Sequence, residues 1–104
     1  MANREIAEIF NRMSRALTFK GLDHFRALAY ERAARALRGE EEDVTKLARE
    51  NRLNEIPGIG KDLSEMINEY IATGHIRRIE REVRSVPDEL LELMRLVAIV
   101  KSTT

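Results

Sequence analysis

The sequence predicts an all-α protein, a compact bundle of five to six short helices, on three observations. Apolar residues recur at intervals of three and four along most of the 104-residue chain, the period of a helix with one buried face. No segment shows convincing apolar-polar alternation, and β-branched stretches bounded by turns are too few to build a sheet. Capping residues and stop glycines, among them Asp23, Asp43, Gly21, Gly39 and Gly74, fall where the apolar pattern breaks.

Asn3 is placed to cap the first helix, in which Ile6, Ile9, Phe10, Met13 and Leu17 share a face as far as Lys20-Gly21. Asp23 caps a second, with Phe25, Leu28, Ala29, Ala33, Ala36 and Leu37 on one side, Arg32, Arg35 and Arg38 on the other, and Gly39 as its stop. The acidic run Glu40-Glu41-Glu42-Asp43 reads as a solvated loop that favours a helix N-terminus, and Val44, Leu47 and Ala48 carry a short third helix to about Asn51. The best-bounded helix runs from Lys61 to Thr73, with Leu63, Met66, Ile67, Tyr70 and Ile71 as an ordinary core stripe and Gly74 behind it. Ile76, Ile79 and Val83 mark a fifth. Its polar positions Arg77, Arg78, Arg81 and Arg84 read first as a solvated face paired with Glu80 and Glu82. A sixth starts around Pro87 and uses Leu90, Leu91, Met94 and Val97.

Composition narrows the chemistry. Cysteine is absent and the only histidines are His24 and His75, which excludes a disulfide framework, a thiolate zinc site and a cysteine nucleophile. Both histidines read as exposed loop or helix-end residues, and no catalytic residue is assigned. The longest apolar run, Leu96 to Val100, is far below the roughly 20 residues of a membrane span, and the N-terminus lacks a signal-peptide core. A cytoplasmic protein is expected, nucleoid-associated if bacterial or archaeal. Lys plus Arg and Asp plus Glu both total 18, so long-range steering of a polyanion is weak and any nucleic-acid binding needs a local device.

Ile56-Pro57-Gly58-Ile59-Gly60-Lys61 supplies such a device. Two glycines one residue apart permit positive φ and leave no Cβ between an incoming anion and the backbone amides. The helix opening at Lys61 adds unsatisfied N–H groups and a positive dipole end. Ile56 and Ile59 are expected to anchor the turn in the core, with Lys61 as a mobile charge outside.

Helix, hydrophobic-Pro-Gly-hydrophobic-Gly-Lys turn, helix resembles the helix-hairpin-helix element, which binds DNA phosphate without reading sequence; here it covers about residues 44–73. The resemblance extends through Asn3 to Phe10, Phe25 to Ala34 and Ile71 to Gly74 to the N-terminal region of family X, polymerase beta-like, DNA polymerases. It implies a single helical DNA-binding domain over residues 3–97 with a tail at 98–104. The family's domain grips the 5′-phosphate side of a gap, in repair or gap-filling synthesis. Carried over by position, the resemblance assigns DNA-phosphate contacts to Gly58, Ile59, Gly60, Lys61, Arg26, Tyr30 and Arg78. It also implies a Na⁺ or K⁺ ion on the main-chain carbonyls of Asn54, Ile56 and Ile59. Read without the resemblance, Tyr30 is a core aromatic with its hydroxyl at the rim.

Two departures limit the likeness. Some members cleave deoxyribose phosphate through a lysine Schiff base, and that lysine falls here at Met66, a second helpful one at Asp62. Lys61 is a poor substitute, because five residues rotate a helix by roughly 500° and leave it about 140° from Met66. The chain is therefore read as a binding module, with a lyase using a non-standard lysine or a protein-protein interaction domain as the alternatives. The second departure is Leu96-Val97-Ala98-Ile99-Val100-Lys101, where the family usually places another Pro-Gly turn. This stretch reads as helix end, core, or an apolar patch for a protein partner or weak self-association through the C-terminal helix.

Overall fold

The structure, a computed structural model, describes residues 1–103 and the side chains of residues 1–97. Six α-helices follow in order: α1 (Asn3–Lys20), α2 (His24–Gly39), α3 (Val44–Arg49), α4 (Lys61–Thr73), α5 (Arg77–Arg84) and α6 (Asp88–Thr103). A single 3₁₀ turn, Leu53–Glu55, lies between α3 and α4. Among the described residues there is no strand, and no helix is long and apolar enough to cross a membrane.

The core is organised around α1. Its apolar stripe, Ile6, Ala7, Phe10, Met13 and Leu17, is buried and packs against Ala27, Tyr30, Ala33, Ala34 and Leu37 of α2. Small residues at 33 and 34 let the two helices approach, and Phe10 meets Tyr30 edge to face at 5.6 Å. Val44 and Leu47 of α3, Met66 and Ile67 of α4, and Ile76 and Ile79 around the start of α5 complete the same core. Truncating a fully buried aromatic such as Phe10 to alanine would cost about 3–5 kcal/mol. Helix α6 is held more lightly: Val86 and Leu91 pack on Ala16 of α1, and Arg12 pairs with Asp88 at 3.0 Å.

The structure corrects several local expectations. Asn3 does not cap its own helix, whose N-cap is Ala2. It is buried, donates from Nδ2 to the Glu42 carbonyl at 2.8 Å and accepts from the Val44 amide at 3.0 Å, so it caps α3 across the fold. Helix α3 ends at Arg49 because Asn51 adopts φ +56°, and its amide and that of Arg52 bond back to Ala48 and Leu47. Phe25, expected on the inner face of α2, is 83% exposed, and Ala29 is exposed too. Pro87 precedes the first residue of α6, and its carbonyl accepts from Leu90 and Leu91. Glu80 and Glu82 do not serve the arginines of α5: Glu80 pairs with His75 at 2.7 Å and Glu82 with Lys20 at 3.4 Å. Residues 98–103 continue α6, and the reading of Ile99 and Val100 as core or patch lies outside the described side chains.

Candidate nucleic-acid interface

The turn between α3 and α4 is built from local rules. Ile59 N–H donates to the Ile56 carbonyl at 3.0 Å, closing a four-residue turn with Pro57 second and Gly58 third. Gly58 has φ +85°, the value that the third position of a type II turn requires and that a side chain resists. Ile56 and Ile59 are both buried, as their spacing predicts, so the two ends of the turn are pinned in the core while its tip stays outside. A Cβ on Gly58 would lie 4.0 Å from the Ala33 amide nitrogen, which places the turn against α2.

Gly60 differs from the expectation of positive φ. It is extended, at φ −90° and ψ −163°, and a Cβ there would meet open space. The internal fold therefore does not require glycine at 60. It is the N-cap of α4 and brings no side-chain oxygen to the first-turn amides, which find no backbone acceptor either. Lys61 is exposed beside them, and so is Asp62, the acidic residue of the first turn. One turn into the helix, the Ser64 hydroxyl is buried with no hydrogen-bond partner, a feature that a serine in a first turn does not announce in sequence. The preceding side of the turn is occupied by its own ion pairs: Arg52 reaches Glu50 at 2.7 Å, Glu55 at 3.0 Å and Glu42 at 3.6 Å. The hydrogen bond from Arg52 holds the Glu55 carboxyl below the usual carboxylate range.

The remaining site residues lie at different depths. Tyr30 is 4% exposed, and its hydroxyl donates to Met66 Sδ at 3.7 Å. Met66, at the position where the resemblance puts the lyase lysine, is thus a core residue facing α2. Arg26 is exposed in the first turn of α2, its amide bonded to Asp23 at 3.1 Å. Phe25 stands beside it in solvent with the His24 ring 6.2 Å away. Arg78 is exposed near the start of α5. Helix α4 has 13 residues, so its two ends are about 18 Å apart. Arg78 follows the far end, so it and the Gly58–Lys61 turn stand at opposite ends of α4. For a monovalent cation, the carbonyls of Asn54 and Ile59 are taken by no backbone donor, and that of Ile56 accepts only from Ile59. Carbonyl oxygens are the class of donor that hard cations take.

Comparison with known proteins agrees with this geometry. The helix-hairpin-helix domain family matches residues 1–76. The chain is similar to the DNA polymerase/3′-5′ exonuclease PolX of Bacillus subtilis, at 29% identity over 92% of this chain and 16% of that protein. It is also similar to DNA polymerase lambda of Rattus norvegicus, at 32% identity over 88% of this chain and 15% of that protein. The chain therefore spans about a sixth of the length of these relatives. With one family covering the hairpin and both relatives aligned along most of the chain, the protein belongs to the helix-hairpin-helix domain family and is homologous to family X DNA polymerases.

Proposed function

We propose that this chain is a DNA-binding module that grips backbone phosphate without reading base sequence. The observation that carries the reading is the start of α4: a glycine without a side-chain cap follows a type II turn, the first-turn amides have no partner in the fold, and Lys61 is exposed beside them. A phosphate oxygen satisfies those amides and meets the positive end of the helix, a combination that works in a protein of zero net charge. Gly60 then has a reason to be glycine, because open space at its Cβ is where the anion approaches. A Na⁺ or K⁺ on the carbonyls of Asn54, Ile56 and Ile59 adds positive charge behind the same phosphate.

Arg26 and Arg78 supply a second anchorage, and the hydroxyl of Tyr30 joins it by exchanging the Met66 sulfur for a stronger acceptor, a phosphate oxygen. Exposed Phe25, next to Arg26, is a face on which an unpaired base stacks. An anchored phosphate beside a stacking face suits gapped or 5′-phosphorylated DNA, the substrate of repair or gap-filling synthesis in a cytoplasmic or nucleoid setting. Homology to enzymes named as DNA polymerases supports this context.

The test is a heteronuclear NMR titration with a short gapped duplex carrying a 5′-phosphate. Shifts centred on the amides of Gly58, Gly60 and Lys61, reduced when tetramethylammonium replaces Na⁺ and K⁺, are expected. Still amides at the turn, or a marked sequence preference, would overturn the reading. Few phosphate contacts also imply a shallow dependence of affinity on salt.

A further inference from the structure

The segment that leads from α3 into the turn is held by one side chain more than by burial. Between Glu50 and Glu55 only Leu53 is buried, whereas Glu50, Asn51, Asn54 and Glu55 are exposed. Arg52 stands in the middle and grips on three sides. Its Nε and Nη2 clasp the Glu55 carboxylate at 3.1 and 3.0 Å, its Nη1 donates to Glu50 at 2.7 Å, and Glu42 lies 3.6 Å from Nη2. The same residue holds the backbone: its amide donates to the Leu47 carbonyl at 2.8 Å, and its carbonyl accepts from the Glu55 amide at 3.0 Å. Glu55 adjoins Ile56, the first residue of the type II turn. Glu50 closes α3, and Glu42 lies in the loop before it, where its carbonyl accepts from Asn3 of α1. Arg52 thus joins the entrance of the turn to both ends of α3.

We infer that Arg52 is a positioning residue for the phosphate-binding turn: by clasping Glu55 it sets the direction in which the chain enters Ile56–Lys61, and with it the aim of the amides that open α4. The inference rests on the proposed function of that turn. A single exposed ion pair contributes little, but a two-point fork shared with further carboxylates is a network of fixed geometry. Lysine cannot replace it, because one ammonium does not reproduce the fork. The guanidinium is engaged by carboxylates, so Arg52 acts on the phosphate through the turn and not by contact.

The test pairs amide hydrogen exchange of the free protein with affinity for the gapped, 5′-phosphorylated duplex, read by fluorescence anisotropy at about 0.1 M salt. Arg52→Gln should speed exchange at the amides of Glu55, Ile56 and Ile59 about fivefold, leave α1 protected, and weaken DNA binding about fivefold. Arg52→Lys keeps the charge and should behave nearly as Arg52→Gln does. Glu55→Gln gives the sharpest reading. It removes a negative charge next to the turn, so charge alone predicts tighter binding, whereas loss of an acceptor from the fork predicts binding about threefold weaker. Unchanged exchange at the turn in Arg52→Gln, full affinity in Arg52→Lys, or tighter binding by Glu55→Gln would each overturn the inference. An unsubstituted chain that leaves the DNA unbound would overturn the proposed function and with it the role of Arg52 in binding. The exchange measurement contains no DNA, so the two failures are told apart.

Discussion

Helices α3 and α4 flank the same turn and begin in opposite ways. At α3, Asp43 accepts from the Thr45 amide at 2.9 Å and Asn3, from a distant helix, accepts from the Val44 amide at 3.0 Å. The fold satisfies its own donors there. At α4 the corresponding place is held by Gly60, which offers no side-chain acceptor to the first-turn amides. The two glycines of the turn divide in the same way: Gly58 is needed by the backbone, at φ +85°, whereas Gly60 sits in a conformation open to any residue. A position that the fold leaves free and unoccupied by a side chain is the one to which the proposed function assigns the phosphate.

Filling that position breaks the contrast most strongly. Gly60→Asp gives α4 the kind of cap α3 has, so stability in urea should hold or rise by about 0.3 kcal/mol while DNA affinity, read by fluorescence anisotropy, falls more than about tenfold. Gly58→Ala should do the reverse at the level of the fold, costing about 1–2 kcal/mol in the same urea experiment because a Cβ is forced into positive φ. Removing the side-chain cap of α3 with Asp43→Ala should cost about 1 kcal/mol and leave the DNA affinity of the folded protein unchanged. An equal loss of DNA binding in Asp43→Ala would show that the two helix starts act as one unit.

Smaller effects sharpen the electrostatic side. Asp62→Asn removes the carboxylate beside the proposed phosphate and should tighten binding about twofold, whereas Lys61→Ala should lower the salt dependence by about one ion pair. Far from the turn, Tyr70 donates to Glu5 at 2.7 Å, and this bond holds the phenol above its ordinary range. A group raised in the folded state contributes fully below its unfolded pKa and loses that contribution as pH rises through the folded one. Stability should therefore decline slightly above about pH 10, and Tyr70→Phe should flatten that decline in thermal melts.

Much of this was legible in sequence because it depends on residues a few positions apart. The limits of α4, the burial of Ile56 and Ile59 and the cap at Asp43 follow from apolar spacing, turn chemistry and one short side chain. Phe25 was misread because the stripe was drawn through Phe25 and Ala29, whereas the buried face of α2 runs through Ala27, Tyr30, Ala33, Ala34 and Leu37, about 140° of helical rotation away from Phe25. In a helix with alanines on several sides, apolar spacing leaves more than one side available, and packing against α1 selects among them. The arginines of α5 were given partners on their own helix, whereas Glu80 turned to His75 and Glu82 to Lys20.

By itself, then, the sequence determined the helices, their order and the turn that carries the candidate site, since each rests on backbone geometry and apolar spacing within one turn or two. Only the tertiary structure decided that Asn3 caps a helix some forty residues away, that Gly60 is free of internal demands, that Tyr30 spends its hydroxyl on Met66, and that Leu93 and Leu96 are left uncovered. The reason is physical: capping, burial and ion pairing are settled by whichever groups the packed helices bring within reach, and that proximity does not exist until the chain has folded.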